Sequence, residues 1–307
     1  MSDEYFLIDT DGGIDDLFAL TYAFYERIKD IKAITTTSGN VSSLQAAYNI
    51  GYLIQYINKS KEKISIPVYS GAHNSITPFS SKRAFEIHGS DGFGNIIGKC
   101  KNAEFAATFE EENAVTVIAK NAKYYSNNLT IITLGPLTNI AIAYLLDPES
   151  LRNIKRIVAM GGVLYAKGNY NGFAEFNIGY DPAAFYIILK SGIPLELITL
   201  DITKKCPFNS EDFFYDNSTN IFYKAVKFYS KKSNTVYLHD PLAVYVAFEG
   251  NNCVKKLNIN IELTGEYTKG CIFEDIFSNY SVLYHYEVPY NNFKEKIIKS
   301  IRHFIVC

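Results

Sequence analysis

Six short runs rich in β-branched and aromatic residues constrain this chain more than any other feature: "YFLI", "IKAITTT", "ISIPVYS", "LTIITL", "IKRIVAM" and "PLELITL", each closed by a polar or glycine turn. Segments with apolar residues at helical spacing lie between them: "SSLQAAYNIGYLIQYI", "ENAVTVIAKNAKYY", "LTNIAIAYLL" and "DPAAFYIILKSG". Strands that alternate with helices predict βα units, hence an α/β fold with an open, mostly parallel, Rossmann-like sheet and helices on both faces. After about residue 205 the alternation weakens, and "DPLAVYVAF" and "KLNINIEL" follow. A single domain over 1–307 with a less regular C-terminal third is expected, with one long irregular insert at residues 71–98.

Composition narrows the partners. A chain of 307 residues, 48% hydrophobic and 20% charged, can bury a substantial core. Its 30 basic and 32 acidic side chains give a net charge of -2, so no bulk field argues for nucleic acid or an anionic membrane. No segment approaches the roughly 20 apolar residues of a membrane span. "MSDEYFLIDTD" is acidic where a signal peptide is basic. Cys100, Cys206, Cys253, Cys271 and Cys307 show no metal-ligand spacing and read as free thiols. A cytoplasmic protein with a small-molecule partner is expected.

In open α/β sheets the ligand crevice lies beyond the carboxyl ends of the strands. Polar clusters sit there in this sequence: Asp9, Asp11, Asp15 and Asp16 after the first run, Ser38 to Asn40 after the second, Gly71 and His73 after the third, "LGPLTN" after the fourth and "GGVLYAKGNYNGFAEFN" after the fifth. Four aspartates in eight positions repel one another and need neutralising. Carboxylates without nearby Cys or His suit a hard cation: calcium, manganese or magnesium. Gly12 and Gly13 allow Asp11 and Asp16 to reach one centre, and Asp15 opens a helix. The Thr133 and Leu134 carbonyls, before a Gly-Pro turn, offer further oxygen ligands, although an ordinary turn capped by Thr138 or Asn139 explains the same residues. "GNYNGFAEFN" is glycine-rich, so an extended chain is expected that turns Glu175 and Asn177 the same way, beside Asn169, toward a polyhydroxylated ligand. In "YLHDPLAVY", His239 adjoins Asp240 at a helix start, which makes Asp240 a distant metal ligand.

These residues support a resemblance. "DTDGGIDD" resembles the DxDxGxDD signature of the inosine-uridine-type nucleoside hydrolases, and "TTTSGN", "HGSDGFG", "LGPLTN", "MGG", "GNYNGFAEFN" and "HDP" are similar to that family's other motifs, in order, over residues 5 to about 245. The resemblance implies hydrolysis of a nucleoside's N-glycosidic bond to ribose and free base, with a tightly held Ca2+. It implies that Asp11, Asp16, Asp240 and the Leu134 carbonyl bind calcium, and that Asp11 is also the general base toward water. Asp15, Asn40 and Asn177 would hold the ribose 2′- and 3′-hydroxyls, Asn169 and Glu175 the 5′-hydroxyl, while His239 and His88 would contact the base and help it leave. Purine-specific relatives sandwich the base between tryptophans. This chain has no Trp, which implies an inosine- and uridine-accepting or pyrimidine-preferring enzyme, with Tyr229 and Tyr237 unassigned near His239. The family implies a homo-oligomer, a dimer or tetramer.

Two rival readings remain at this stage. A non-catalytic nucleoside- or ribose-binding protein needs no water-activating base, and Asp11 argues against it. "LIDTDGG" is also similar to the first motif of haloacid-dehalogenase-like phosphatases, with Asp9 as nucleophile and Asp11 as acid. Gly13 departs from that pattern, and no later acidic motif completes it.

Overall fold

The computed structural model describes residues 4–59, 63–78, 83–98, 112–213 and 220–305. Cys100 and Cys307 lie outside them; Cys206, Cys253 and Cys271 are free thiols. The strands are β1 (Tyr5–Thr10), β2 (Ile31–Thr36), β3 (Val68–Ser70), β4 (Leu129–Thr133), β5 (Arg156–Met160), β6 (Leu195–Ile198), β7 (Phe208–Asn209), β8 (Thr235–Val236), β9 (Val254–Ile261), β10 (Ile272–Glu274) and β11 (Ser281–His285). Among the described residues nine of them form one sheet in the order β10-β9-β11-β6-β5-β4-β1-β2-β3, and β7 pairs with β8 apart from it. Pairings from β3 through β1 and β4 to β6 and β11 are parallel. Antiparallel β9 joins β10 and β11, which makes the C-terminal part irregular.

Alternating side chains divide the core between the two sheet faces. Phe6, Ile8, Ile132, Val158 and Ile198 pack with the helices Ile14–Arg27, Ser43–Ile57, Asp240–Glu249 and Tyr290–Phe304. Leu7, Ile131, Ile157 and Leu197 pack with Ala114–Tyr125, Thr138–Leu146 and Pro182–Lys190. Fully burying each such side chain contributes about 1.5–3 kcal/mol. The helix Asp240–Glu249 is buried from Asp240 through Phe248, because it lies between the sheet and its neighbouring helices. A helix held on all sides fixes its first residue, Asp240, without freedom to shift.

Two local expectations are corrected. The run "ISIPVYS" gives a strand only from Val68: Pro67 has no N–H for a ladder, although its carbonyl accepts from Ile34 N (3.0 Å) and Ile64 and Ile66 are buried. Thr138 and Asn139 do not cap the helix they begin. Thr138 Oγ1 donates to Asp181 Oδ2 (2.7 Å), and Asn139 Nδ2 donates to Asp9 Oδ1 (2.8 Å) and the Thr36 carbonyl (3.0 Å).

The chain runs outward from β1 to β2 and β3, then returns to β4 on the other side of β1 and continues to β5 and β6. The direction of winding reverses between β1 and β4, where an α/β sheet opens its ligand crevice. The later part of the insert closes around one side chain beside that crevice. Asp91 accepts from the backbone N–H groups of Phe93, Asn95, Ile97 and Gly98 at 2.8–2.9 Å. Asn49 Nδ2 donates to the Asp91 carbonyl (2.7 Å) and the Gly12 carbonyl (2.9 Å), mooring the insert to the turn after β1. Among the described residues no helix is long and apolar enough to cross a membrane.

Candidate active site

The turn after β1 is built by its own aspartates. Gly12 adopts φ +72°, the left-handed region that glycine enters without strain. Asp16 accepts from the Thr10 hydroxyl and from Gly13 N (2.7 Å), which ties the first helical turn back to the strand end. Asp11 is gripped by Asn40, whose backbone N donates to Oδ2 (2.7 Å) and whose Nδ2 donates to Oδ1 (2.9 Å). This approach requires glycine at position 39, where a Cβ would stand 2.0 Å from Asp11 Oδ2.

Asp9 belongs to a different environment. It is fully buried, and its Oδ1 accepts from Thr35 Oγ1 (2.5 Å) and Asn139 Nδ2 (2.8 Å). It does not line the cavity described below, so the phosphatase reading loses its nucleophile.

Four buried carboxylates meet at this end of the sheet. Oxygens of Asp15, Asp16 and Asp240 lie within 4.8 Å of one another, and Asp11 adjoins them through a contact with Asp16. Burial and mutual repulsion push Asp11 and Asp240 well above the ordinary carboxylate range. The same causes bring Asp15 up to about 7, and burial raises Asp16 as well. Among the described residues no Lys or Arg pairs with any of the four; the nearest ionisable base is His88, whose Nδ1 lies 3.8 Å from Asp15 Oδ1. Burial, reinforced by His239, lowers His88 to about 3, so it offers no charge near neutrality. An all-oxygen donor set with no internal counter-charge fits a hard divalent cation.

A cavity of about 330 Å³ opens over this cluster, lined on its polar walls by Asp15, Asn40, Asn169, Glu175, Asn177, His239 and Asp240. His88 and the Leu134 carbonyl's residue also line it, so every expected substrate contact reaches one space. Asp11 and Asp16 are fully buried and meet it through their partners Asn40 and Asp240.

The extended reading of residues 168–177 is corrected. Glu175 is the N-cap of a short helix, Phe176–Tyr180, and accepts from Asn177 N (2.8 Å) and Ile178 N (3.2 Å) as well as from Gly162 N (2.9 Å). The glycines at 168 and 172 stay outside the helix, which begins only after the capping Glu175. Burial nevertheless brings Glu175 up to about 7. Asn177 donates Nδ2 to the carbonyls of Leu134 (2.8 Å) and Met160 (3.0 Å), while Asn169 Oδ1 accepts from Phe176 N (2.8 Å).

His88 and His239 both line the cavity. Ile14 N donates to His88 Nδ1 (3.0 Å), which leaves the ring proton on Nε2. His239 Nδ1 lies 2.7 Å from Thr203 Oγ1, and burial lowers this imidazole to about 4. Its ring is parallel to that of Tyr237, with centroids 6.3 Å apart. Tyr229 donates its hydroxyl to the Tyr237 carbonyl (2.9 Å), and neither tyrosine lines the cavity.

Two neighbours carried no legible signal. Thr203 orients His239 from the helix Leu200–Thr203. Arg83 lines the cavity from the insert and donates Nη1 to Ser38 Oγ (2.7 Å) and to the carbonyls of Gly39 (3.0 Å) and Val41 (2.6 Å).

Relatives share this architecture. A uridine nucleosidase 1 of Arabidopsis thaliana is 31% identical over 255 residues, covering 78% of this chain and 72% of the relative. A pyrimidine-specific ribonucleoside hydrolase RihA of Escherichia coli O1:K1 is 35% identical over 211 residues, 67% of this chain and 63% of that one. The solved structure of a purine-preferring ribonucleoside hydrolase from Gardnerella vaginalis superposes with a TM-score of 0.85 at 27% identity, covering 98% of this chain and 99% of the other. The pattern of the inosine-uridine preferring nucleoside hydrolases matches residues 6–296. The chain belongs to the inosine-uridine preferring nucleoside hydrolase family.

Proposed function

We propose that this protein is a calcium-dependent ribonucleoside hydrolase that splits the N-glycosidic bond of uridine-like or inosine-like substrates into ribose and free base. One observation carries the reading: hydroxyl-binding amides and carboxylates surround a cavity whose floor holds four buried, uncompensated aspartates. Asp11, Asp16, Asp240 and the Leu134 carbonyl are the proposed metal ligands, and Asp15 lies within 4.8 Å of Asp16 and Asp240, beside the place the ribose would take. When bound, calcium supplies the positive charge that relieves the carboxylates and acidifies water in the site.

The chain's own groups do the rest. Asp15, Asn40 and Asn177 bind the ribose diol, and Asn169 and Glu175 the 5′-hydroxyl. Water attacks C1′, its proton passes to the Asp11 carboxylate, and the C1′–N bond breaks with its electron pair leaving on the base. The carboxylates stabilise the ribosyl cation that develops as the bond lengthens. His239, oriented by Thr203, and His88 contact the base and help it leave by hydrogen bonding, and the proton the base takes up comes from solvent.

Substrate choice follows the names of the relatives, a uridine nucleosidase and a pyrimidine-specific hydrolase among them. A cytoplasmic setting suits the free Cys206, Cys253 and Cys271. A single domain over 1–307 and assembly into a homo-oligomer complete the proposal. Incubating the purified protein with uridine, cytidine, inosine, adenosine and guanosine, with chromatography of the released base, tests it. No release from any nucleoside in the presence of calcium overturns it.

A further inference from the structure

We propose that Arg83 is a positioning residue that sets selectivity for the ribose 2′- and 3′-hydroxyls by acting through Asn40. The inference rests on the ribose-binding role given above to Asn40.

One nitrogen of Arg83 reaches three oxygens of a single loop: Ser38 Oγ, Gly39 O and Val41 O, at 2.7, 3.0 and 2.6 Å. These residues flank Asn40 on both sides. The loop closes on itself through Gly39 N to Val41 O (3.0 Å), so its carbonyls point toward Arg83 while Asn40 points toward Asp11. Asn40 is thus held from two directions. Its backbone and side-chain N–H groups go to the Asp11 carboxylate, and the carbonyls beside it go to a guanidinium. With Nδ2 turned to Asp11, the amide oxygen is the acceptor that Asn40 can offer a sugar hydroxyl.

Ser38 Oγ also lies 3.0 Å from Tyr180 Oη, and the Arg83 guanidinium is 5.9 Å from the Tyr180 ring. Tyr180 ends the helix that carries Asn177. The network around Arg83 therefore touches the supports of both amides that meet the ribose. Arg83 donates to none of Asp11, Asp16 and Asp240 and reaches Asp11 only through Asn40, so a general loss of rate is expected beside the change in selectivity.

A merely structural arginine on the cavity wall would lower the turnover of all substrates in proportion. A residue acting through Asn40 must do more to substrates that possess the 2′-hydroxyl. The ratio of kcat/KM for uridine to that for 2′-deoxyuridine, measured in wild type, Arg83→Ala, Arg83→Met and Arg83→Lys, separates the two. The ratio is expected to fall roughly 10- to 100-fold in the Ala and Met variants, the size of a lost charge-assisted hydrogen bond, mainly through KM for uridine. Lys keeps the charge and three donors and should restore part of it. Arg83→Met retains the packing of the stem, so it supplies the answer should Arg83→Ala fail to fold. An unchanged ratio in Arg83→Met overturns the proposal, whatever happens to the rates. Were wild type to release no base at all, the functional reading would fall instead. The same ratio, taken from calorimetric affinities for D-ribose and 2-deoxy-D-ribose, would then decide the role of Arg83.

Discussion

The side-chain amide of Asn177 lies 2.8 Å from the carbonyl oxygen of Leu134, to which it donates, and this fixes which way round the amide stands. A second bond from the same nitrogen to the Met160 carbonyl (3.0 Å) leaves the amide oxygen to meet a ligand. Asn40 is turned the same way by Asp11. In the proposed complex the 2′- and 3′-hydroxyls would direct their two hydrogens to acceptors among Asn40, Asn177 and Asp15. Their lone pairs are left for a positive centre, as a cation at the aspartate cluster would provide.

Such a site discriminates strongly against a missing hydroxyl, because its acceptors are then buried without a donor. 2′-Deoxyuridine is expected to be hydrolysed about 10⁴-fold less efficiently than uridine. Comparable kcat/KM values for the two would remove the ribose contacts assigned to Asp15, Asn40 and Asn177.

Asp11→Ala is expected to abolish nearly all activity, exceeding the roughly 100-fold effect of losing a general base alone, if the proposed metal ligand goes with it. Elemental analysis should show calcium in the wild type and little in the variant. Chelation should lower both the activity and the melting temperature, and added calcium should restore them. An active, metal-free Asp11→Ala protein would sink the mechanism.

Burial keeps both imidazoles neutral near pH 7, with His239 lowered to about 4 and His88 to about 3. A bound cation pushes in the same direction. No histidine ionisation is therefore expected in the kcat profile between about pH 6 and 8. His239→Ala should still reduce kcat on uridine roughly 100-fold. Unchanged kcat on every nucleoside would return His239 to a structural role.

Far from the cavity, Glu196 accepts from Arg156 Nη1 (2.7 Å) and faces His285 Nε2 (3.1 Å). Burial pushes its carboxyl up, but His285 and Arg156 outweigh that and hold it below its ordinary value of 4.5. Its contribution to stability is complete above the ordinary value, which it regains on unfolding, and is lost as pH falls through the lower folded value. Glu196→Gln should cost about 3 kcal/mol at neutral pH, measured by urea titration, with the gap to wild type narrowing in acid. A gap that widens below pH 4.5 contradicts this.

The legible part of the molecule is the part where one residue type has few alternative uses. Buried runs such as "LTIITL" are strands because their residues suit nothing else, and the crowding of Asp11, Asp15 and Asp16 was readable from their spacing after the first strand, whereas Asp9 turned out to accept from Thr35 instead. Asn177 lines the cavity, but in the first turn of a helix: the glycines argue for extension, and the Glu175 side chain, capping Asn177 and Ile178 while also accepting from Gly162, starts the helix at Phe176. Arg83 and Thr203 left no trace, because an arginine in an irregular insert and a threonine in a short helix are ordinary at any surface. Their roles exist only once distant loops meet. The short β10 and β11 were missed for a similar reason, since their places are set by pairing with β9, and for β11 also with β6, rather than by a strict alternation of their own.

The Asn49 side chain, which joins Gly12 to Asp91 across separations of 37 and 42 residues, has a consequence for how the molecule assembles. Contacts so distant in sequence form only after the intervening chain has been ordered. The helix Ser43–Ile57 must dock before Asn49 can bridge, and the winding around Asp91 must wait for that bridge to hold it in place. Competence is acquired late: during refolding, recovered base release should lag behind recovered helical ellipticity, by the time needed for one buried amide to find two carbonyls.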